Sequence, residues 1–237
     1  MSENRAPVHL SYFSDVLCIW AYLGQIRLDE LKHNFGNKVA INYHHVTLFG
    51  DTETRIGLGW KKKGGFEGFT RHVLEVAEQF PHITVNPEIW KSCRPKTSAP
   101  AHLLLKAVQL LQQSGEISHQ PQSDFNNKTW LEIVDWQIRH AFFHEAIDIS
   151  QMGNLFEITD EFGIDNRALQ QLISDGSAMA LLCRDMQLKE TNKLDGSPTY
   201  LLNESRQKLF GNVGYKIIEA NVIELLEVGK EGQASWC

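Results

Sequence analysis

Residues 8–13 read V-H-L-S-Y-F, an alternation of apolar and polar positions with the period of a half-buried strand. After Cys18 the apolar residues Ile19, Leu23, Ile26, Leu28 and Leu31 recur near helical spacing, and Gly36 ends the run. Residues 39–46, V-A-I-N-Y-H-H-V, alternate again and are rich in β-formers. Strand, helix and strand in this order predict two parallel strands joined by a right-handed crossover.

From residue 66 to 190 the period changes to that of helices, predicted over 66–79, 99–113, 126–145, 152–162, 166–174 and 177–191. Asp165 and Asp175 stand just ahead of two of them, where capping residues are favoured. Residues 81–100 carry prolines and read as irregular, and 114–123 as a polar loop. Strand patterns return at 199–203 (T-Y-L-L-N) and 208–210, with E-S-R-Q between them as a hairpin turn. A last amphipathic helix is predicted over 215–228. The order β-α-β, helical block, β-β-α predicts one α/β domain made of residues 1–65 and 191–237, with 66–190 as an all-helical insertion.

The 237 residues are 42% hydrophobic and 22% charged, an ordinary globular composition. A net charge of −6 argues against nucleic acid as the partner, because such binding needs a basic face. Lys61-Lys62-Lys63 is the only basic run, and Gly64-Gly65 after it marks a solvated loop. No basic start followed by a long apolar stretch opens the chain, and no apolar run approaches the ~20 residues of a membrane span. These features predict a cytoplasmic protein with reduced thiols and no membrane partner.

Four cysteines, Cys18, Cys93, Cys183 and Cys237, show neither zinc-site spacing nor a disulfide framework, and no H-E-x-x-H pattern supports a metal. Cys18 stands apart because it falls where the first strand gives way to the first helix. Free N–H groups and the helix dipole at that end favour a thiolate, so a depressed pKa is expected. Gly196-Ser197-Pro198-Thr199 leads into the third strand. A proline there loses no ladder donor, and a cis bond before it would turn the Ser197 backbone towards the thiol. Ser197 could then hold an extended substrate, or glutathione, in strand-like pairing.

Several residues have a structural and a chemical reading side by side. Trp20 either covers the thiol and meets a substrate or anchors the core. Cys93, beside Arg94, is either a distant resolving thiol or an incidental loop cysteine. Cys237 could reach Cys18 only through a mobile tail, and Cys183 reads as helix packing. His44 and His45 must point to opposite faces of their strand. They and His102 read foremost as structural histidines, with His102 and Thr97 fixing the insertion against the cleft. Glu145 and Asp148 read as solvated charge at a helix end.

Four stretches together resemble the DsbA-like branch of the thioredoxin superfamily. They are D-V-L-C-I-W-A-Y-L-G at 15–24, T-S-A-P-A-H-L-L-L-K-A at 97–107, F-F-H-E-A-I-D-I-S at 142–150 and G-S-P-T-Y-L-L-N at 196–203; the late L-F-G-N-V-G-Y also fits. The resemblance is to the group joining FrnE-type oxidoreductases, 2-hydroxychromene-2-carboxylate isomerases and kappa-class glutathione transferases. It implies a thioredoxin fold with a helical insertion and a cis Pro198 facing the thiol. FrnE-like proteins carry C-P-W-C, whereas this chain has C-I-W-A, with Ala21 in place of the second cysteine. The glutathione-dependent members carry serine at the position of Cys18, and an acidic residue and arginine after the late Phe-Gly. Here Phe210-Gly211 is followed by Asn212-Val213-Gly214.

The expected activity is therefore that of a thiol–disulfide oxidoreductase or isomerase with a single nucleophile, Cys18. Trp20, Ala21, Ser197 and Pro198 are its expected substrate or glutathione contacts, with Cys93 and Asn212 as auxiliary candidates. A lone thiol forms a mixed disulfide but needs an outside thiol to resolve it, most simply glutathione as co-substrate; no tightly bound cofactor is expected. The expected partner is a disulfide-bearing protein or a small thiol. A glutathione-dependent isomerase or transferase, and a non-catalytic peptide-binding module, are the alternatives. The oligomeric state stays open, a homodimer included.

Overall fold

A computed structural model describes residues 7–227. Strand β1 (Val8–Ser14) leads through a short turn into helix α1 (Ile19–Phe35), which returns to β2 (Val39–His45). Six helices follow: α2 (Gly65–Ala77), α3 (Ala99–Ser114), α4 (Trp130–Phe143), α5 (Met152–Asp160), α6 (Asn166–Ser174) and α7 (Ser177–Thr191). The chain re-enters the sheet as β3 (Thr199–Leu202) and β4 (Gln207–Phe210) and ends its described part with α8 (Tyr215–Glu227).

The sheet order is β2-β1-β3-β4. β1 and β2 run parallel, while β3 is antiparallel to both β1 and β4. The register sets Tyr12 opposite Tyr43 on one side and Tyr200 on the other, so three tyrosine rings line one level of one face. Their centroids lie 6.1 and 5.1 Å apart. The period-2 pattern explains this: Val8, Leu10 and Tyr12 all turn into the main apolar cluster, while Phe13 turns to a small second cluster with Val46, Leu194 and Leu201.

The main cluster runs without a break from the sheet into α3, α4 and α5, through Leu104, Val134, Phe142 and Leu155. The fold is mixed α/β, and helices α2 to α7 fill residues 65–191 between β2 and β3. Helix α4 starts at Trp130 and not at 126, because Asn126 and Asn127 take positive φ and Thr129 closes a capping box with Glu132. Asp165 caps α6 as expected, its side chain accepting from the Arg167 N–H. Cys183 is exposed on α7, which corrects its reading as a packing residue. Cys237 lies outside the described residues.

Candidate active site

Cys18 occupies the N-cap of α1, with φ −83° and ψ 113°. Its N–H donates to the Asp15 carbonyl, and its own carbonyl accepts from the N–H groups of Ala21 and Tyr22, each at 3.1 Å. The loop before β3 closes over it from the far end of the chain. The Ser197–Pro198 bond is cis. The Cys18 thiol donates to the Ser197 carbonyl at 3.2 Å, and the Ser197 hydroxyl accepts from the Asp15 N–H at 2.9 Å. Two hydrogen bonds thus join residues about 180 positions apart.

Cys18 is only 4% exposed, and burial pushes its thiol above the ordinary value. The Ser197 side-chain hydroxyl, the Ala21 N–H and the Arg139 charge act in the opposite direction and do not outweigh it. The expected depression is therefore corrected. The helix terminus supplies its donor, but a sulfur shielded from water loses more from desolvation than one N–H returns.

Beneath the thiol lies a polar network that the sequence reading missed. Asp15, fully buried, accepts from the N–H groups of Leu17 (2.9 Å) and Phe49 (2.7 Å) and from the Ser98 hydroxyl (2.8 Å). Burial nevertheless raises its carboxyl to about 6. The Val16 N–H donates to His102 Nε2 at 3.2 Å, which fixes α3 to the same turn. From α4, Arg139 donates to the Asp15 carbonyl and to the Ser14 hydroxyl, both at 2.9 Å, and to both oxygens of Asp135 at 2.8 and 3.2 Å. Burial would raise the Asp135 carboxyl, but Arg139 and His45 hold it well below the usual carboxylate range. The readable signal was an Asp and an Arg four residues apart on the apolar stripe of a helix, where unpaired charge is not tolerated.

The remaining candidates separate. Trp20 is half-buried, packed against the main cluster and edge-on to Phe80 with centroids 6.4 Å apart. Ala21 is fully buried, so its methyl offers no contact surface and only its N–H belongs to the site. Pro198 is buried and Asn212 is exposed in the turn after β4. Cys93 is nearly buried, and burial with the nearby Asp148 carboxylate raises its thiol to about 11. Arg94 does not activate it, since its guanidinium donates to the Trp90 carbonyl and lies over the Phe66 ring.

His44 and His45 do face opposite ways: His44 stacks on Phe13 and pairs with Asp185, and His45 pairs with Asp135. Glu145 is exposed and pairs with His140, whereas Asp148 caps the turn at Ser150. Among the described residues no three His, Cys, Asp or Glu side chains converge as a metal site requires. A cavity of about 1190 Å³ opens at the other end of α1, between Asp29, Lys32, β2 and Glu132, and none of the candidate residues lines it.

No family model matches the sequence, and a search of curated proteins finds no match. Solved structures do match. A probable DsbA oxidoreductase of Streptomyces coelicolor superposes with a TM-score of 0.69 at 14% identity, covering 97% of this chain and 94% of that one. This is a DsbA-like thioredoxin fold. The cytosolic disulfide reductase DsbM of Pseudomonas aeruginosa, solved with glutathione, gives a TM-score of 0.61 at 17% identity over 92% of this chain and 98% of that one. A 2-hydroxychromene-2-carboxylate isomerase gives 0.60 at 15% identity over 92% and 96%. In this chain Cys18 caps the start of α1 and Pro198 immediately precedes β3. No helix among the described residues is long and apolar enough to cross a membrane.

Proposed function

We propose that this chain is a thiol–disulfide oxidoreductase or isomerase in which Cys18 is the sole nucleophile and glutathione is the resolving thiol. The observation that carries the reading is the 3.2 Å hydrogen bond from the Cys18 thiol to the Ser197 carbonyl, at the N-terminus of α1. When the thiol ionises it no longer donates, and the Ser197 carbonyl becomes free to accept from the backbone of an extended disulfide substrate. The thiolate, held by the Ala21 N–H, attacks one substrate sulfur. The Cys18–substrate S–S bond forms, the substrate S–S bond breaks, and the second substrate sulfur leaves as a thiolate. Glutathione thiolate then attacks the mixed disulfide, returns Cys18 as thiolate and carries the substrate half away as a disulfide.

Trp20, Ser197 and Pro198 form the substrate contacts in this reading, and the compartment is a reducing one such as the cytoplasm. A raised thiol pKa fits a site that reacts when a substrate opens it and rests protected otherwise. Refolding of scrambled ribonuclease with glutathione tests the proposal. Wild type should accelerate recovery of activity and Cys18→Ala should not; equal rates for the two would refute it.

A further inference from the structure

Strand β2 is an edge of the sheet, bonded to β1 on one side only. Backbone groups along a strand address its two edges in alternation. The Val46 N–H just beyond β2 donates to the Ser14 carbonyl of β1 at 3.0 Å. Even-numbered residues therefore bond inwards, and Val39, Ile41, Tyr43 and His45 present their backbone outwards. Side chains occupy the upper half of this outer edge. The Lys106 ammonium of α3 donates to the Tyr43 carbonyl at 3.3 Å, and Asp185 of α7 accepts from the His45 N–H at 2.7 Å. Lys106 and Asp185 are buried and pair with each other. The lower half is open. The Val39 N–H is used by the Gly36 carbonyl in the turn, but among the described residues nothing bonds to the outward N–H and C=O of Ile41.

Val39, Ile41 and Tyr43 line the cavity of about 1190 Å³, together with the end of α1, the glutamines of α3 and residues ahead of α4. The volume exceeds the ~300–1,000 Å³ usual for small-molecule sites. Unpaired strand groups along its wall call for another strand, since only an extended backbone repeats donors and acceptors at that spacing. The recess admits one extended chain. It does not admit β2 of a second copy, which would bring its own α3 and α4 into the same space. Both lysines on the lining are already paired, Lys32 with Glu132 at 2.7 Å and Lys128 with Asp29 at 2.9 Å. Amides such as Asn37, Asn42, Gln113 and Asn126 dominate the remaining polar surface, and they suit uncharged polar side chains.

We propose that this groove binds an extended, uncharged polar segment of another polypeptide, which adds to the edge of β2 through the Ile41 backbone. The site lies at the opposite end of α1 from Cys18 and is independent of the thiol–disulfide reading. The competing reading is that the recess only hides a strand edge from self-association.

The probe is a capped heptapeptide, T-Q-T-V-T-Q-T, and the readout is amide hydrogen exchange of the full chain, corrected for intrinsic rates. In the free protein the Ile41 amide should exchange at least tenfold faster than those of Ala40 and Asn42, which bond to β1. Saturating peptide should slow Ile41 tenfold or more and leave the other two unchanged. Two further copies of the peptide carry backbone N-methyl groups along one edge or the other. One copy should bind at least tenfold more weakly and the other should keep its affinity. Replacing both glutamines by glutamate or by lysine should weaken binding, and Cys18→Ala should bind as wild type does. No protection of Ile41 at millimolar peptide overturns the proposal, as do equal affinities of the two methylated copies. Slow Ile41 exchange before peptide is added also overturns it. A concentration-dependent rate would then mark a second copy on the edge, and a constant rate this chain's own end.

Discussion

At the scale of single residues, Cys18 and Asp15 are both governed by burial, and each yields a measurable pH dependence. Alkylation of Cys18 by iodoacetamide should titrate above the ~8.5 of a free thiol. Mass mapping of the labelled site across pH 6–11 checks this, and a midpoint below ~8 would refute it. Asp15 is the reverse of an ordinary surface carboxylate. Its folded value of about 6 lies above its ordinary 3.8, so the folded state prefers the protonated form. The associated stability is fully present below pH ~4 and is lost as pH rises through ~6. The gap corresponds to about 3 kcal/mol. Urea unfolding of wild type and Asp15→Asn from pH 4 to 7 should show wild type losing stability relative to the variant as pH rises. Parallel profiles would refute this. Sequence alone made Cys18 visible, because strand and helix patterns meet there. It could not show the sign of the thiol shift, because that shift comes from burial in the folded chain and from Arg139 and Ser197, which lie far along the sequence.

At the scale of elements, α4 is where buried charge sets the geometry of the turn before Cys18. Arg139 is 1% exposed and is shared between Asp135 on its own helix and, at the end of β1 and its turn, the Ser14 hydroxyl and the Asp15 carbonyl. Removing one partner of such a pair leaves an uncompensated buried charge, at a cost of about 3–5 kcal/mol. Arg139→Met should lower unfolding stability by that amount. Adding Asp135→Leu should recover part of it, because the stranded carboxylate is then gone. Additive losses in the double variant would contradict this account. At the start of the same helix, Thr129→Ala should cost about 1 kcal/mol through loss of the capping box. The positions of α3, α6 and α7 were readable almost to the residue, because apolar spacing and caps are local. The start of α4 was not, because residues 126 and 127 read as helix while the backbone there turns left-handed before Thr129. The Arg139–Asp135 pair was written in sequence as an i,i+4 spacing, but its third partner, the β1 turn, was not.

At the scale of the whole molecule, the question is how the helical stretch and the sheet share stability. The sequence order suggests a sheet domain of residues 1–65 and 191–237 with a helical insertion between. The apolar cluster nevertheless passes through both, with Tyr22 of α1 stacked on Phe143 and Trp136 of α4 at centroid distances of 4.8 and 5.1 Å. Lys32 of α1 also pairs with Glu132 of α4 at 2.7 Å, and the Tyr43 hydroxyl of β2 donates to the same carboxylate at 2.7 Å. Parts joined through aromatic stacking and buried polar bonds lose their support together, since a helical stretch released from the sheet would expose the faces of α3 and α4 that the sheet and α1 now cover. We therefore expect one cooperative unfolding transition. Near-ultraviolet dichroism, which follows the aromatic stack, and far-ultraviolet dichroism, which follows mostly helix, should give the same urea midpoint. Tyr22→Ala should move both midpoints together by an amount equal to the ~3–5 kcal/mol loss of a buried aromatic. Two separated transitions, or a far-ultraviolet midpoint that Tyr22→Ala leaves in place, would show that the helical stretch stands alone. The Cys18 turn would then lose the support that α3 and α4 give it before the helices themselves melt.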